Sequence, residues 1–338
     1  MCAQVPPFSI QVLATEYGAD TSADLPSLLP AAYRTEADDL AAPRGNVMKC
    51  VEKELDLQRL NRVLSWLWVA GRPVPPRPLH YQVLLSRSIF VTEQMDMHLV
   101  WTTGRIFLKP VPRFLLEPRF WSEYLCCTRG CHCSNEQVEY GRSARECDRR
   151  RLRRCALGFL FSYAALITHE SDFFIAKEKR LLPMEVQWLA WRTFVEQLDT
   201  EHIYHKIDAR FIYGELRLNR LNKIYRFSQS AFLRGYMPRW DQYRTFFQDN
   251  FAWLASATVY VAVVLTALQV GLATKSLGDS DAFQSASYGF TIFSILGPLI
   301  VAGLIILVFF YIFLYNWIVA VIERNRRLRY IQALSGGA

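Results

Sequence analysis

The sequence predicts a mainly α protein, with an α-rich cytoplasmic domain, a small β-hairpin, a long stalk helix and a C-terminal two-helix transmembrane hairpin. Two charge-free segments carry the prediction, because residues 251–274 and 282–322 contain no Asp, Glu, Lys or Arg. A helix needs about 20 apolar residues to cross the hydrocarbon core of a bilayer. The chain has 338 residues, 51% of them hydrophobic, and this division into charged and uncharged parts excludes one soluble globular domain.

Flanking charge predicts the orientation of the two spans. Arginines precede the first span and follow the second, whereas the short loop between the spans contains one Lys and two Asp. Basic residues stay preferentially on the cytoplasmic side. We therefore expect a multi-pass membrane protein with both termini in the cytoplasm and the loop on the opposite side.

Composition predicts seven regions along the chain. Residues 1–45 contain two basic and six acidic side chains and are rich in Pro, Ala and Ser, which is typical of a disordered tail. The boundaries are an acidic tail at 1–45, a cytoplasmic α-rich domain at 46–235 with a Cys-rich insert at 126–154, a juxtamembrane segment at 236–250, transmembrane helix 1 at 251–274, a short loop at 275–287, transmembrane helix 2 at 288–322, and a basic tail at 323–338.

Apolar spacing predicts the main elements of the cytoplasmic domain. The segments are a helix over 52–71, a proline-rich extended linker at 73–78, a β-hairpin over 97–109, a buried central helix over 155–167, a helix that starts at Pro183, and a long amphipathic helix over 207–227.

A cysteine cluster around the sequence CCTRGCHC is a candidate metal site. Its four possible ligands are Cys126, Cys127, Cys131 and Cys133. Zinc sites usually pair cysteines as C-x₂-C, and this spacing differs from that pattern. Incidental thiols in a surface insert, acylation near a membrane and redox chemistry remain open alternatives.

Two basic clusters flank the predicted spans. Their members are Arg217, Arg220, Lys223 and Arg226 before the first span, and Arg324, Arg326, Arg327 and Arg329 after the second. Such clusters suit the anionic cytoplasmic leaflet, at about 1 kcal/mol per charge near the surface, or simply a solvated helix face. No nucleic-acid recognition motif accompanies them, so we expect no nucleic-acid partner.

Polar and small residues mark one face of each predicted span. They are Gln269, Ser294, Gly297, Pro298, Ala302 and Gly303. Small residues allow close helix packing, and an amide in lipid favours contact with protein or a pore. Packing within a hairpin and the lining of a pore in a homo-oligomer are both consistent with this pattern.

The segment THESD contains His169, Glu170 and Asp172, for which metal ligation or acid–base chemistry can be considered. The second His of an H-E-x-x-H motif is missing, and position 173 is Phe. We therefore expect a local hydrogen-bonded network at a helix end. Phosphate-binding, dinucleotide-binding and nucleophile-elbow motifs are also missing, so we expect neither an enzyme nor a cofactor.

Four long segments resemble a family of uncharacterised integral membrane proteins of filamentous fungi. They read RRLRRCALGFLFSYAALITHESDFFIAKEKRLLP, FIYGELRLNRLNKIYRF, DNFAWLASATVYVAVVLTALQVGLAT and DAFQSASYGFTIFSILGP. The resemblance covers most of the chain after about residue 50 and implies two C-terminal spans, without assigned catalytic residues.

The layout also resembles CorA-type magnesium channels, which carry Gly-Met-Asn at the end of the first span. Here the equivalent place reads VGLATKS, so the known ion filter is missing. The two leading hypotheses are a membrane-anchored scaffold that captures a cytoplasmic protein and a subunit of a homo-oligomeric channel or transporter. An enzyme with a cysteine-based metal site is a third hypothesis.

Overall fold

A computed structural model describes residues 5–13, 24–127, 147–228, 236 and 243–335. The chain forms two compact units, Met1–Met237 and Pro238–Ala338, which we call unit 1 and unit 2. The described chain as a whole is mainly helical.

Unit 1 combines short helices with two small sheets. Its helices are α1 (Val47–Glu54), α2 (Gln58–Asn61), α3 (Leu67–Ala70), α4 (Leu79–Leu84), α5 (Pro118–Glu123), α6 (Asp148–Leu166), α7 (Glu170–Glu178), α8 (Trp188–Gln197) and α9 (Leu218–Ser228). Its strands are β1 (Tyr33–Arg34), β2 (Leu40–Ala41), β3 (Ser88–Val91), β4 (Val100–Thr102), β5 (Arg105–Leu108) and β6 (Leu216–Arg217).

The predicted hairpin is confirmed as β4 and β5, which pair antiparallel. Gly104 lies in the turn with a φ of 72°, a left-handed conformation that glycine adopts without steric cost. The hairpin is the centre of a four-stranded sheet of order β3-β5-β4-β6, in which both outer strands run parallel to their neighbours. Strand β6 therefore brings a distant part of the chain to the hairpin.

Helix α6 is the predicted buried central helix, and most of its side chains are inaccessible to solvent. Beside it lies the buried imidazole of His98. The backbone N–H of Lys109 donates to His98 Nδ1 over 3.1 Å, so Nε2 carries the hydrogen and donates to Ser162 Oγ over 2.9 Å. Burial, with the nearby charges of Arg210 and Lys109, lowers the pKa of His98, and the ring therefore stays neutral.

The expectation of a disordered tail over 1–45 is wrong for its described residues, 5–13 and 24–45. Phe8 and Val12 are 3% and 1% exposed, and the Phe8 ring lies 4.7 Å from that of Phe194. A few apolar side chains that enter a core formed by later segments can order a polar stretch. Residues 1–4 and 14–23 lie outside the described residues.

Two predicted long helices are interrupted. The segment 52–71 contains the end of α1, then α2, a 3₁₀ turn and α3. Between α1 and α2, the Asp56 carboxylate accepts a hydrogen bond from the N–H of Gln58 over 2.8 Å. The predicted stalk helix over 207–227 begins only at Leu218, because residues 216–217 pair with β4 instead.

The helix predicted to start at Pro183 begins later, at Trp188. The carbonyl oxygens of Pro183 and Met184 accept hydrogen bonds from Lys177 Nζ over 2.7 and 2.8 Å. These contacts hold the segment after α7 in a turn, so local proline preference does not decide where α8 starts.

Unit 2 consists of α10 (Tyr243–Leu272), α11 (Lys275–Gly278) and α12 (Asp281–Ser335). Two of these helices are long and apolar enough to cross a membrane, over Ala255–Leu272 and Asp281–Tyr330, and neither is buried inside the chain. Helix α12 extends beyond the predicted 288–322 at both ends. It includes part of the predicted loop 275–287 and most of the predicted tail 323–338.

Candidate functional site

A concave pocket of about 490 Å³ lies on the surface of unit 1. The linker between α3 and α4, strands β4 and β6, and the start of α9 form its walls. The lining residues are Trp68, Ala70, Gly71, Arg72, Val74, Pro75, Arg77, Arg87, Trp101, Glu215, Arg217 and Arg220.

A buried carboxylate, Glu215, organises one side of the pocket. Its side chain is 8% exposed, and it accepts from Arg77 Nη2 over 2.5 Å and from Arg87 Nη1 over 2.6 Å. Gln82 Nε2 donates to the same carboxylate over 2.8 Å. Burial alone would raise the pKa of Glu215, but the hydrogen bonds from Arg77, Arg87 and Gln82 outweigh burial and lower the pKa to about 2. Glu215 therefore stays ionised and holds two guanidinium groups in place.

Trp101 makes cation–π contacts with two arginines of the pocket. The guanidinium carbons of Arg87 and Arg217 are 4.0 and 5.3 Å from the centre of its ring. Trp101 and Arg217 are paired residues of the parallel strands β4 and β6, so the sheet register sets this contact. Cation–π attraction of this kind is worth about 0.5–2 kcal/mol and orders the guanidinium groups.

Two glycines allow the pocket walls to approach each other. Gly71 pairs with Leu216 across the wall, and a Cβ at Gly71 would lie 2.7 Å from the carbonyl oxygen of Glu215. A Cβ at Gly214 would lie 2.5 Å from the carbonyl oxygen of Val74. The linker after α3 can therefore pack directly on the segment before α9.

The structure divides the predicted basic clusters. Arg217 and Arg220 line the pocket, and Arg220 Nη1 donates to the carbonyl of Val69 over 3.0 Å. Lys223 is exposed on α9 outside the lining, and the side chain of Arg226 lies outside the described residues. On α12, the exposed side chains are Arg324, Arg326 and Arg329, and the half-buried one is Arg327.

Sequence reasoning missed Arg72, Arg77 and Arg87 as site residues. Arg77 belongs to the proline-rich linker over 73–78, which was identified as extended. Arg72 directly precedes that linker, and Arg87 directly precedes β3. The position of Arg72 and Arg77 next to prolines was the available sequence signal for a site, since a linker that cannot form regular structure presents its side chains to a neighbouring surface.

The candidate cysteine site is only partly described. Cys126 and Cys127 are 8% and 5% exposed, and Cys127 Sγ lies 3.5 Å from Cys147 Sγ. Cys131 and Cys133 lie outside the described residues. The structure thus places Cys147 beside the cluster, and metal binding stays a prediction.

The predicted network around His169 and Asp172 is confirmed. The Asp172 carboxylate is fully buried and accepts from the backbone N–H of His169 over 3.0 Å, which caps α7. It also accepts from the backbone N–H of His80 over 2.7 Å, and lies 2.8 Å from His80 Nδ1. Burial raises the pKa of Asp172, but these hydrogen bonds from His80 and His169 outweigh it and lower the pKa.

Sequence reasoning missed His80, which α4 brings to this network. Ligand atoms of His80, His169 and Asp172 lie within 4.8 Å of one another, and two imidazoles with a carboxylate can bind zinc or iron. Both carboxylate oxygens already accept hydrogen bonds from the protein. The arrangement therefore serves first as a connection between α4 and α7.

Helices α10 and α12 contact each other, and the small and polar residues predicted on the two spans differ in their exposure. Ser294 is 9% exposed, and its hydroxyl donates to the carbonyl of Phe290 over 2.6 Å. The half-buried members are Gly297, Pro298 and Ala302, and the exposed residues are Gln269 and Gly303. Packing within the hairpin and the lining of a pore therefore stay predictions for these residues.

These features define a mainly helical protein of two units, one of which bears the pocket, while the other contains two helices that are able to cross a membrane. The chain belongs to a family of unknown function, DUF6601, whose model matches residues 47–298. The match extends from α1 into α12 and includes every residue of the pocket. In comparisons with curated proteins and with solved structures, nothing matches. The expected membership of an uncharacterised family is confirmed.

Proposed function

We propose that this protein is a membrane-anchored interaction protein, in which α10 and α12 insert as a hairpin and unit 1 binds a cytoplasmic protein partner. The exposed apolar surface of unit 2 carries the proposal. Val259, Leu299 and Leu307 are 66%, 64% and 64% exposed, and each Å² of apolar surface in water costs about 25 cal/mol. A bilayer removes that cost.

The charges at the helix ends support an orientation with both termini in the cytoplasm. Arg324, Arg326 and Arg329 are exposed near the end of α12, where each would gain about 1 kcal/mol at an anionic leaflet. The segment 275–281, from α11 to the first residue of α12, contains Lys275, Asp279 and Asp281, and therefore has no positive excess. We propose no reaction for this chain.

Alkaline carbonate extraction of membranes tests the anchor. We expect the full chain to stay in the membrane pellet and a variant lacking residues 243–335 to be released, because the apolar helices provide the attachment. Tryptophan fluorescence of the released variant shows whether unit 1 keeps its fold. Equal release of both chains would refute a spanning hairpin. If the variant that lacks residues 243–335 kept its fold but no longer bound the partner, unit 1 would be refuted as the binding unit.

A second candidate, a homo-oligomeric channel or transporter subunit, is favoured by Gln269. Its side chain is exposed on α10, and an amide that faces lipid without a partner costs several kcal/mol. A second copy of the chain could provide the missing hydrogen bonds.

Replacing Gln269 with leucine is therefore expected to shift a detergent-solubilised oligomer towards monomer, as measured by light scattering. Thr266→Val is the matched control, because the Thr266 hydroxyl donates to Ala262 of its own helix over 2.9 Å and needs no partner. A monomeric wild-type chain would exclude this second function, as would bilayers that show no conductance after reconstitution.

A further inference from the structure

The pocket of unit 1 holds more positive charge than its carboxylate neutralises. Arg77 and Arg87 share the single carboxylate of Glu215. Three further lining arginines form no ion pair with any carboxylate of the described residues: Arg72, Arg217 and Arg220. Each guanidinium has five N–H donors in a planar fork, and Arg220 uses one of them on the carbonyl of Val69. Most donors of these three side chains have no protein acceptor in the described chain.

The charge excess favours a doubly charged anion. A phosphate monoester carries about −1.5 to −2 charges near neutral pH, whereas a carboxylate or a phosphodiester carries one. Its oxygens also match the guanidinium fork, which gives paired hydrogen bonds. Glu215 stays ionised beside the site and holds Arg77 and Arg87 in fixed positions, so the positive wall is ordered before a ligand arrives.

The cavity is larger than a phosphate group requires. Its volume of about 490 Å³ is within the range of about 300–1,000 Å³ usual for small-molecule sites. One wall is apolar, with Trp68 63% and Val74 53% exposed. An organic group attached to the phosphate would cover these side chains and remove their surface from water.

We propose that this pocket binds the phosphate monoester of a small organic molecule or of a lipid headgroup. The proposal concerns unit 1 alone and holds whether or not unit 2 crosses a membrane. Binding in this pocket also differs from non-specific attraction of basic residues to an anionic surface, because the exposed Lys223 on α9 lies outside the pocket and does not contribute to the binding.

Calorimetric titration of the full chain in a mild uncharged detergent tests the proposal. The probes are phenyl phosphate, inorganic phosphate, dihexanoyl phosphatidic acid and dihexanoyl phosphatidylserine. We expect phenyl phosphate to bind more tightly than inorganic phosphate, because its ring contacts the Trp68 wall. Phosphatidic acid, a monoester, should bind more tightly than phosphatidylserine, a diester. Tighter binding of phosphatidic acid than of phenyl phosphate indicates a lipid source, and the reverse order indicates a soluble one.

The double variant Arg72→Gln with Arg217→Gln should weaken binding of phenyl phosphate by roughly tenfold or more, because two charged hydrogen-bond donors are lost. The matched control is Arg62→Gln with Lys223→Gln, which removes the same charge from exposed positions outside the pocket. We expect less than about a twofold change there, since exposed charges at a distance are screened.

Both double variants should have the same unfolding midpoint as the wild type. If the pocket double variant unfolds earlier, the binding test is repeated with the single variant Arg72→Gln. Equal weakening in the pocket variant and the control would overturn the proposal. Failure of all monoester probes to bind at millimolar concentration would do the same, as would phosphatidylserine binding as tightly as phosphatidic acid. None of these results bears on membrane extraction.

Discussion

Replacing Glu215 with glutamine is expected to lower the free energy of unfolding by about 3 kcal/mol. Arg87, whose side chain is 8% exposed, would remain charged without a carboxylate, and Arg77 would lose its paired hydrogen bonds. Loss of one partner of a buried ion pair costs more than the pair contributes, because the other charge stays desolvated. Chemical unfolding of the full chain in detergent, followed by tryptophan fluorescence, measures the effect.

The pH dependence gives this prediction a second readout. The pKa of Glu215 falls from its ordinary value of 4.5 to about 2 on folding. Because the folded pKa is the lower one, the carboxylate stabilises the protein fully above about pH 4.5, and this contribution is lost as the pH falls towards 2. The difference between wild type and Glu215→Gln should therefore shrink over that interval.

Glu178→Gln is the matched control for Glu215→Gln. Its carboxylate is 70% exposed and pairs with Lys179 over 2.7 Å, and exposed pairs of this kind contribute about 0–1 kcal/mol. If Glu215→Gln cost no more than Glu178→Gln, the buried carboxylate would not organise the pocket.

Replacing Phe8 with alanine is expected to lower the free energy of unfolding by about 3 kcal/mol. The ring is 3% exposed and makes edge-to-face contacts with Phe194 and Trp121 at centroid distances of 4.7 and 6.3 Å. Its removal leaves a cavity between α5 and α8. Chemical unfolding of the full chain, followed by tryptophan fluorescence, measures this loss of stability.

Val5→Ala is the control for Phe8→Ala, because the Val5 side chain is 78% exposed and should change stability by less than about 0.5 kcal/mol. The neighbouring Ser9 N–H donates to Gln197 Oε1 over 2.7 Å, which holds the same segment against α8. An unchanged unfolding midpoint for Phe8→Ala would show that residues 5–13 do not belong to the core. That result would agree with the disordered tail that their composition predicts.

Features that depend on neighbouring residues were predictable from the sequence. The buried helix α6 follows from its uncharged run, and the hairpin β4–β5 from two short apolar strands around Gly104. The cap of α7 follows from the polar side chains at the end of a buried helix. In each case, the interacting residues are close along the chain, so a short window contains the physical information.

The N-terminal segment and the stalk helix show where local patterns fail. Residues 5–13 are ordered by apolar sites on α5 and α8, which lie more than a hundred residues away. Residues 216–217 pair as a strand because β4 provides a hydrogen-bonding edge, and that pairing outweighs their helical spacing. Neither outcome can be read from the segment itself, since propensity is weaker than tertiary contact.

By itself, the sequence determined that the chain has two helices able to cross a membrane, because uncharged length is a local property. It also indicated basic residues before the first of them. Only the tertiary structure decided that Arg217 and Arg220 share a pocket with Arg72, Arg77 and Arg87. Glu215 lies 138 residues from Arg77, and their ion pair forms because the sheet and the close approach at Gly71 bring both segments together.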